Sequence, residues 1–386
     1  VILYVAAHGG AHHETHDQTT RESVPLGGGA AVFDHLVDEW TRAGIEFRTI
    51  TPRVAGRDLV RYSESEYARF CRDFERFATE EILRYDPATT VVLSNDVAEG
   101  PDFARLAAYR IFTIYHVDVV SYIADIYLRG WIAPETTVRW ERRLRWALPR
   151  ITRLIWEKQE ASVHHSRGLI VPSRGMRDVL ARCYPESTAK IHILPWGVWD
   201  SGPPASADPL RAEYGIGSGD RVLLTLSRIS PEKGQDILLE ELLPWDPPLW
   251  LFICGAPAYM QGERYFAKLQ ALAKKFRNTR VVFPGHVTGE RKRAFFSLAD
   301  LYVFPSRHES YGLTLLEALA AGVPAVCLET AGARAVMRPD YGEIVDRRKL
   351  RVTIEKFLRE PKRVITTDLP KFADTACRLA QLLSVL

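Results

Sequence analysis

The sequence predicts an α/β protein built from two doubly wound, Rossmann-like domains facing each other across a cleft. Three observations carry that expectation. Short β-branched or apolar runs alternate with helical patterns along most of the chain, its 386 residues exceed one ordinary core, and a single Gly/Pro/Ser/Asp-dense stretch divides it. The strand runs are Val1–Ala7, Phe47–Thr51, Thr90–Leu93, Ile111–Tyr115, Gly168–Val171, Ile191–Leu194, Val222–Ser227, Leu249–Cys254, Val281–Phe283, Leu301–Phe304 and Ala325–Leu328. Parallel strands need helical crossovers, so this alternation reads as parallel sheets. The dividing stretch, Gly197 to Asp220, has the composition of a linker or long loop. It sets the expected boundaries at 1–197 and 198–370, with 371–386 a terminal helix packing back on the first domain. Ligands of such folds bind outside the carboxyl ends of the strands.

After the first strand comes HGGAHHETHDQTTRESVPLGGG, residues 8 to 29. This run has no helical periodicity and lacks the helical histidine spacing of a zinc protease, so it reads as a loop rather than a metal site. Helical spacing begins at Ala30 and runs to Ala43, with Gly44 as the stop. Residues Arg139–Lys158, RWERRLRWALPRITRLIWEK, place Trp140, Leu144, Leu148, Ile151 and Ile155 at helical spacing. Seven basic residues against two glutamates leave +5 on the opposite face, which suits a core-facing helix with a solvated basic side or a peripheral membrane contact. A further helix is expected over Gln235–Leu243.

Apolar content of 46% with 26% charged residues describes a globular protein, and a net charge of +3 is too small for a phosphate-tracking surface, so no nucleic acid is expected. The five cysteines (Cys71, Cys183, Cys254, Cys327, Cys377) are scattered and form no C-x-x-C pair. They read as small buried hydrophobes of a reducing compartment. VILYVAA is a short apolar run without a basic leader and no run long enough for a membrane span follows, so the expected location is cytoplasmic, with peripheral membrane contact through 139–158 kept open.

Two segments carry chemistry. In DLYVFPSRHESYGLTLLEALAAGVPAV, Asp300 to Val326, a strand runs through a polar loop bearing Glu309 to Gly312, and a helix starts near Leu313. Free N–H groups at that start, around Leu313 and Thr314, form an anion site. Glu309 before the helix and Glu317 on it make sense beside an anion when they accept hydroxyls, as sugars offer. In LLTLSRISPEKGQDILLEEL, Leu223 to Leu242, Arg228 and Lys233 follow a buried strand. Two cations at a strand's carboxyl end can neutralise a departing diphosphate without a metal.

On these residues the chain resembles the GT-B fold glycosyltransferases, and is similar to glycosyltransferase family 4, the retaining family that uses nucleotide-diphosphate sugars. The resemblance rests on Pro25–Gly29, His116, Arg228, Lys233 and the Glu309-x7-Glu317 pair. It implies that Arg228 and Lys233 bind the diphosphate, joined by amides at Gly27, Gly28, Leu313 and Thr314, with Tyr311 and Gly312 also among the donor-binding residues. It further implies that Glu317 holds the ribose, Glu309 and His116 the donor sugar, and Gly285, His286 and Val287 the base. His12, His13, His16 and Asp17 become candidate acceptor contacts. One departure is Pro195-Trp196-Gly197-Val198, where the family often has P-N-G-V. The implied reaction is transfer from a UDP-sugar, or next a GDP-sugar, to a small-molecule or lipid-linked cell-envelope acceptor, with no metal and no cofactor. A sugar-nucleotide epimerase on the same fold and a non-catalytic nucleotide-sugar-binding module are the alternatives.

Overall fold

A computed structural model describes residues 1–7, 27–52, 62–117, 119–122, 131–147, 150–199, 202–258, 262–366 and 368–385. The chain divides into two compact units, Val1–Gly197 with Pro370–Leu386, and Val198–Leu369.

The first unit opens with β1 (Ile2–Val5), whose Leu3, Tyr4 and Val5 are buried. The helix α1 (Gly28–Arg42) follows, and β2 (Phe47–Ile50) pairs beside β1 in parallel. Helix α1 buries Ala30, Phe33, Val37 and Trp40, the stripe its 3.6-residue period dictates, and Gly44 stands at φ 66° just past its end. Then come α2 (Glu64–Ile82), started by a Ser63/Glu66 capping box, β3 (Val91–Ser94), β4 (Arg110–Ile114) and the short α3 (Val119–Tyr122). Helices α4 (Pro134–Leu144) and α5 (Arg150–His165), strand β5 (Gly168–Val171), helix α6 (Arg174–Cys183) and strand β6 (Ile191–Ile193) complete the run. The six strands stand in the order β2-β1-β3-β4-β5-β6, every pairing parallel.

The second unit contains α7 (Asp208–Tyr214), β7 (Arg221–Leu226), α8 (Gln235–Leu242), β8 (Leu249–Cys254), α9 (Gly262–Ala273), β9 (Arg280–Gly285) and α10 (Gly289–Leu298). It continues through β10 (Leu301–Phe304), α11 (Leu313–Ala320), β11 (Ala325–Leu328), α12 (Ala331–Val336), β12 (Gly342–Val345) and α13 (Arg347–Arg359). Its order, β12-β11-β10-β7-β8-β9, is again parallel throughout. The central strands β7, β8, β10 and β11 are nearly continuous apolar runs, as strands covered on both faces must be. The last helix, α14 (Phe372–Val385), returns to the first unit, where the Trp40 indole N–H donates to the Ala376 carbonyl at 2.9 Å.

Three expectations are corrected. The stretch 139–158 is not one helix: α4 ends at Leu144, a 3₁₀ turn covers Arg145–Ala147, and α5 begins at Arg150, directly after Pro149. A proline ring clashes with the carbonyl four residues before it, so the proline at 149 in the sequence disfavours α-helix at Arg145, where the 3₁₀ turn starts. The presumed linker holds α7, whose Pro209 suits a helix's first turn and whose Gly215 ends it at φ 71°. Cys377 is exposed on α14, whereas the other four cysteines are buried free thiols.

Candidate donor-binding site

The second sheet reverses direction beside β7: β8 and β9 build to one side and β10 to the other. At such a switch point the loops leaving two adjacent strands diverge and open a crevice. Here those loops are 227–234 after β7 and 305–312 after β10, which carry the two segments singled out in the sequence.

Backbone geometry clamps the loops together. Gly234 sits at φ 66°, and a Cβ there would lie 2.0 Å from the Pro305 carbonyl oxygen, so only glycine permits the approach. Arg307 crosses between them: its N–H donates to the Glu232 carbonyl at 2.8 Å and its guanidinium to the Pro231 carbonyl at 2.7 Å. The same guanidinium grips Asp236 at the start of α8 with two bonds, 2.7 and 3.0 Å. Asp236 also accepts from the Tyr265 hydroxyl and the Lys268 ammonium, each at 2.7 Å. Burial alone would raise this carboxyl's pKa, but the bonds from Arg307, Lys268 and Tyr265 prevail and hold it far below the usual carboxylate range.

Lys233 and Glu309 meet within this frame, Nζ to Oε2 at 2.6 Å. Burial pushes the Glu309 carboxyl up, yet the Lys233 ammonium, His308 and Arg228 hold it below its ordinary value, so it is a carboxylate at neutral pH. Gly332 of α12 backs it: its N–H donates to the Glu309 carbonyl at 2.8 Å, and a Cβ there would crowd Glu309 Cγ at 2.8 Å. Arg228 has a guanidinium nitrogen 3.9 Å from Glu232 Oε1.

Beyond Glu309, Gly312 at φ 90° forms the N-cap of α11 without a side-chain cap, and Leu313 and Thr314 occupy its half-buried first turn. The orphan N–H groups of that turn can serve an anion. Tyr302 braces the turn from below, its hydroxyl reaching the Leu226 carbonyl oxygen at 3.0 Å and Thr314 Oγ1 at 2.9 Å. Tyr311 is buried, and burial pushes its hydroxyl pKa up. One helical level on, Glu317 Oε1 accepts from the Lys292 ammonium at 2.7 Å and from the Trp199 indole N–H at 3.1 Å. Neither partner was singled out in the sequence, since Lys292 and Trp199 lie 25 and 118 residues away and no local spacing ties them to Glu317. Asp236 and Arg307 went unmarked for the same reason. At the end of β9, Gly285 holds φ 80° with open space where a Cβ would stand, followed by exposed His286 and buried Val287.

In the first unit, Gly27 caps α1 in extended conformation with Gly28 exposed and Gly29 half-buried. A Cβ at Gly29 would meet His116 Cδ2 at 3.0 Å. His116 follows β4 and stacks on buried Trp196 with centroids 5.8 Å apart. Gly197 runs so close to the Lys371 backbone that a Cβ would overlap it. The sequence departure at Trp196 thus has a packing reason: the indole fills space between His116 and Phe372. His12, His13, His16, Asp17, Pro25 and Leu26 lie outside the described residues.

Two parallel six-stranded sheets flanked by helices define a two-domain, Rossmann-like protein of the GT-B fold. Solved structures share it: Anabaena Alr3699/HepE in complex with UDP and glucose aligns over 100% of this chain and 99% of that one, with TM-score 0.64 and 15% identity. Sucrose-phosphate synthase from Thermosynechococcus elongatus aligns over 99% and 94%, with TM-score 0.69 and 17% identity.

Residues 206–366 match the family model of the glycosyl transferases group 1. A D-inositol 3-phosphate glycosyltransferase of Nocardia farcinica is 31% identical over 168 residues, 41% of this chain and 37% of that protein. The GDP-mannose-dependent alpha-(1-6)-phosphatidylinositol monomannoside mannosyltransferase of Mycolicibacterium smegmatis is 32% identical over 188 residues, 45% of this chain and 47% of that protein. The chain thus spans half or less of the length of these curated relatives. Residues 206–366 are thus similar to a glycosyl transferases group 1 domain, within a chain of the GT-B fold.

Proposed function

We propose that the chain is a retaining hexosyltransferase of the family 4 kind, moving a sugar from a nucleoside-diphosphate sugar, UDP- before GDP-linked, to a small-molecule or lipid-linked acceptor. The observation that carries this reading is the convergence of the Arg228/Lys233 loop and the Glu309 loop on the uncapped start of α11, with Lys233 and Glu309 2.6 Å apart. Two cations and oriented amides suit a leaving diphosphate, so neither metal nor cofactor is required. Glu309 suits the sugar's hydroxyls and Glu317, one turn and more along α11, the ribose.

A double displacement would need a second carboxylate as nucleophile, and the described part of this loop cluster offers Glu309 already bound to Lys233. Front-face substitution fits better. The acceptor oxygen bonds to the anomeric carbon as the bond from that carbon to the diphosphate oxygen breaks, both on one face, and the acceptor's proton passes to the leaving phosphate oxygen. Catalysis then rests on positioning and on stabilising leaving-group charge.

Incubation with UDP- and GDP-sugars and an acceptor panel tests this, reading nucleoside diphosphate release and the product's anomeric configuration by NMR. Release with retention is expected. An altered sugar without transfer would mean an epimerase, and neither change a binding module.

A cytoplasmic, membrane-peripheral setting belongs to the same proposal. No helix of the described residues is long and apolar enough to cross a membrane. Trp131, Trp140 and Trp146 are 85%, 51% and 79% exposed, interleaved with exposed Arg139, Arg142 and Arg143. Indoles favour the headgroup level and arginines an anionic leaflet, so the occupant proposed for this segment is an anionic bilayer. Cosedimentation with phosphatidylglycerol vesicles, lost in Trp140→Ala/Trp146→Ala, would support it; equal recovery with phosphatidylcholine vesicles or without vesicles would not.

A further inference from the structure

The first sheet has its own switch point, between β1 and β3, and Asn95 stands there directly after β3. The residue is 4% exposed and its side chain is engaged on both polar atoms. Nδ2 donates to the Gly29 carbonyl at 3.1 Å. Oδ1 accepts from the Tyr4 hydroxyl at 2.7 Å and lies 3.2 Å from Nε2 of His116. The backbone N–H of Asn95 donates to the Val5 carbonyl at 2.8 Å, fixing the amide's root on the neighbouring strand.

These contacts determine a proton. A carbonyl has none to give, so the nitrogen end of the amide must face Gly29 and the oxygen end must face Tyr4 and His116. An amide oxygen within hydrogen-bond distance of an imidazole nitrogen requires the proton on that nitrogen. The Tyr4 hydroxyl remains a donor because burial, with Asp34 nearby, pushes its pKa far up. We propose that Asn95 is a positioning residue that holds His116 with a proton on Nε2, while the same amide ties down the first turn of α1. The Trp196 ring on one face and the glycine at 29 at the edge leave the imidazole little room to turn away.

The location of the proton is independent of the reaction; only its consequence for turnover rests on the proposed glycosyl transfer. Asn95 thereby joins the two first-unit features singled out in the sequence, the glycine run and His116.

Long-range ¹H–¹⁵N correlation on full-length protein with ¹⁵N-histidine tests it, the His116 signals being assigned by their absence in His116→Gln. A protected, hydrogen-bonded Nε2–H is expected in the wild type. Asn95→Ala should lose the protected Nε2–H signal and lower transfer turnover by about 10-fold or more with donor KM within about 2-fold. Asn95→Asp, which keeps an oxygen toward Nε2 and gives up the bond to Gly29, should keep the signal. A wild-type ring without a proton on Nε2, a signal that persists in Asn95→Ala or one that vanishes in Asn95→Asp overturns the proposal. Should Asn95→Ala fail to fold, the wild-type and Asn95→Asp spectra still decide. Loss of the signal with unchanged turnover would sustain the positioning and remove His116 from the proposed reaction.

Discussion

Lys233 Nζ and Glu309 Oε2 lie 2.6 Å apart although 76 residues of sequence separate them, because β7 and β10 are neighbours in the sheet. Lys233 helps hold the Glu309 carboxyl below its ordinary value, and each fixes the other's direction. Under the proposed function, an incoming diphosphate would compete with Glu309 for Lys233.

The diphosphate clamp can be measured directly. Arg228→Ala and Lys233→Ala should each lower transfer by roughly 10²-fold or more, the scale of losing an oxyanion donor. Wild-type turnover in either variant would remove the clamp from the proposed mechanism.

The two carboxylates should separate by calorimetry. Glu317→Ala is expected to weaken binding of the free nucleoside diphosphate as well as of the donor, and it also strands Lys292. Glu309→Ala should leave the free nucleoside diphosphate bound and impair only productive sugar placement. The reverse order would exchange their assigned roles.

Asp236 gives the acid limb of stability a named origin. Its folded-state pKa lies below the unfolded value, so its contribution is present at neutral pH and is lost as pH falls below about 4 toward the folded value. Asp236→Asn should cost about 2–3 kcal/mol at pH 7, allowing for the partial exposure of Arg307. The gap in Tm between variant and wild type should narrow as the solution is acidified; a gap that widens would contradict the assignment.

Gly234→Ala tests the loop clamp. A Cβ 2.0 Å from the Pro305 carbonyl, on a residue with positive φ, should destabilise by about 3 kcal/mol or more. Denaturant unfolding with a midpoint equal to that of the wild type would mean the loops separate easily.

The histidine-rich run at 8–29 supplies a chelator test. With cations and amides available for the diphosphate, EDTA is expected to leave activity nearly unchanged. Joint replacement of His12, His13 and His16 by Ala should affect the acceptor's apparent KM or turnover without changing nucleotide binding. Stoichiometric zinc by elemental analysis, with activity lost to chelator and restored by zinc, would reverse this reading.

Much of the fold was legible because the buried strands are continuous apolar runs separated by helical periods, as in Val222–Ser227 and Leu249–Cys254. The strand β12 was not, since its GEIV carries a glutamate and spans four residues. The end of α4 at Leu144 needed Pro149 to outweigh a hydrophobic stripe on either side of it, and α7 was hidden by the glycines and prolines around it. In the candidate site, the residues on loops leaving strands could be singled out locally. Asn95, Asp236, Lys292, Trp199 and Arg307 could not, because each has its meaning through a partner brought near only by the sheet order.

The helix α14 comes after the whole second unit in sequence yet completes the first, covering Trp40 through the bond to Ala376 and anchoring at Pro195, whose carbonyl accepts from the Thr375 hydroxyl at 2.9 Å. During synthesis the first unit therefore leaves the ribosome with one flank of α1 uncovered and waits for roughly another 170–190 residues, at about 5–20 residues per second, some ten seconds or more. The second unit, contiguous from Val198 to Leu369, has no such delay. A nascent chain arrested before α14 should accordingly protect the second unit from protease while leaving α1 of the first open to cleavage.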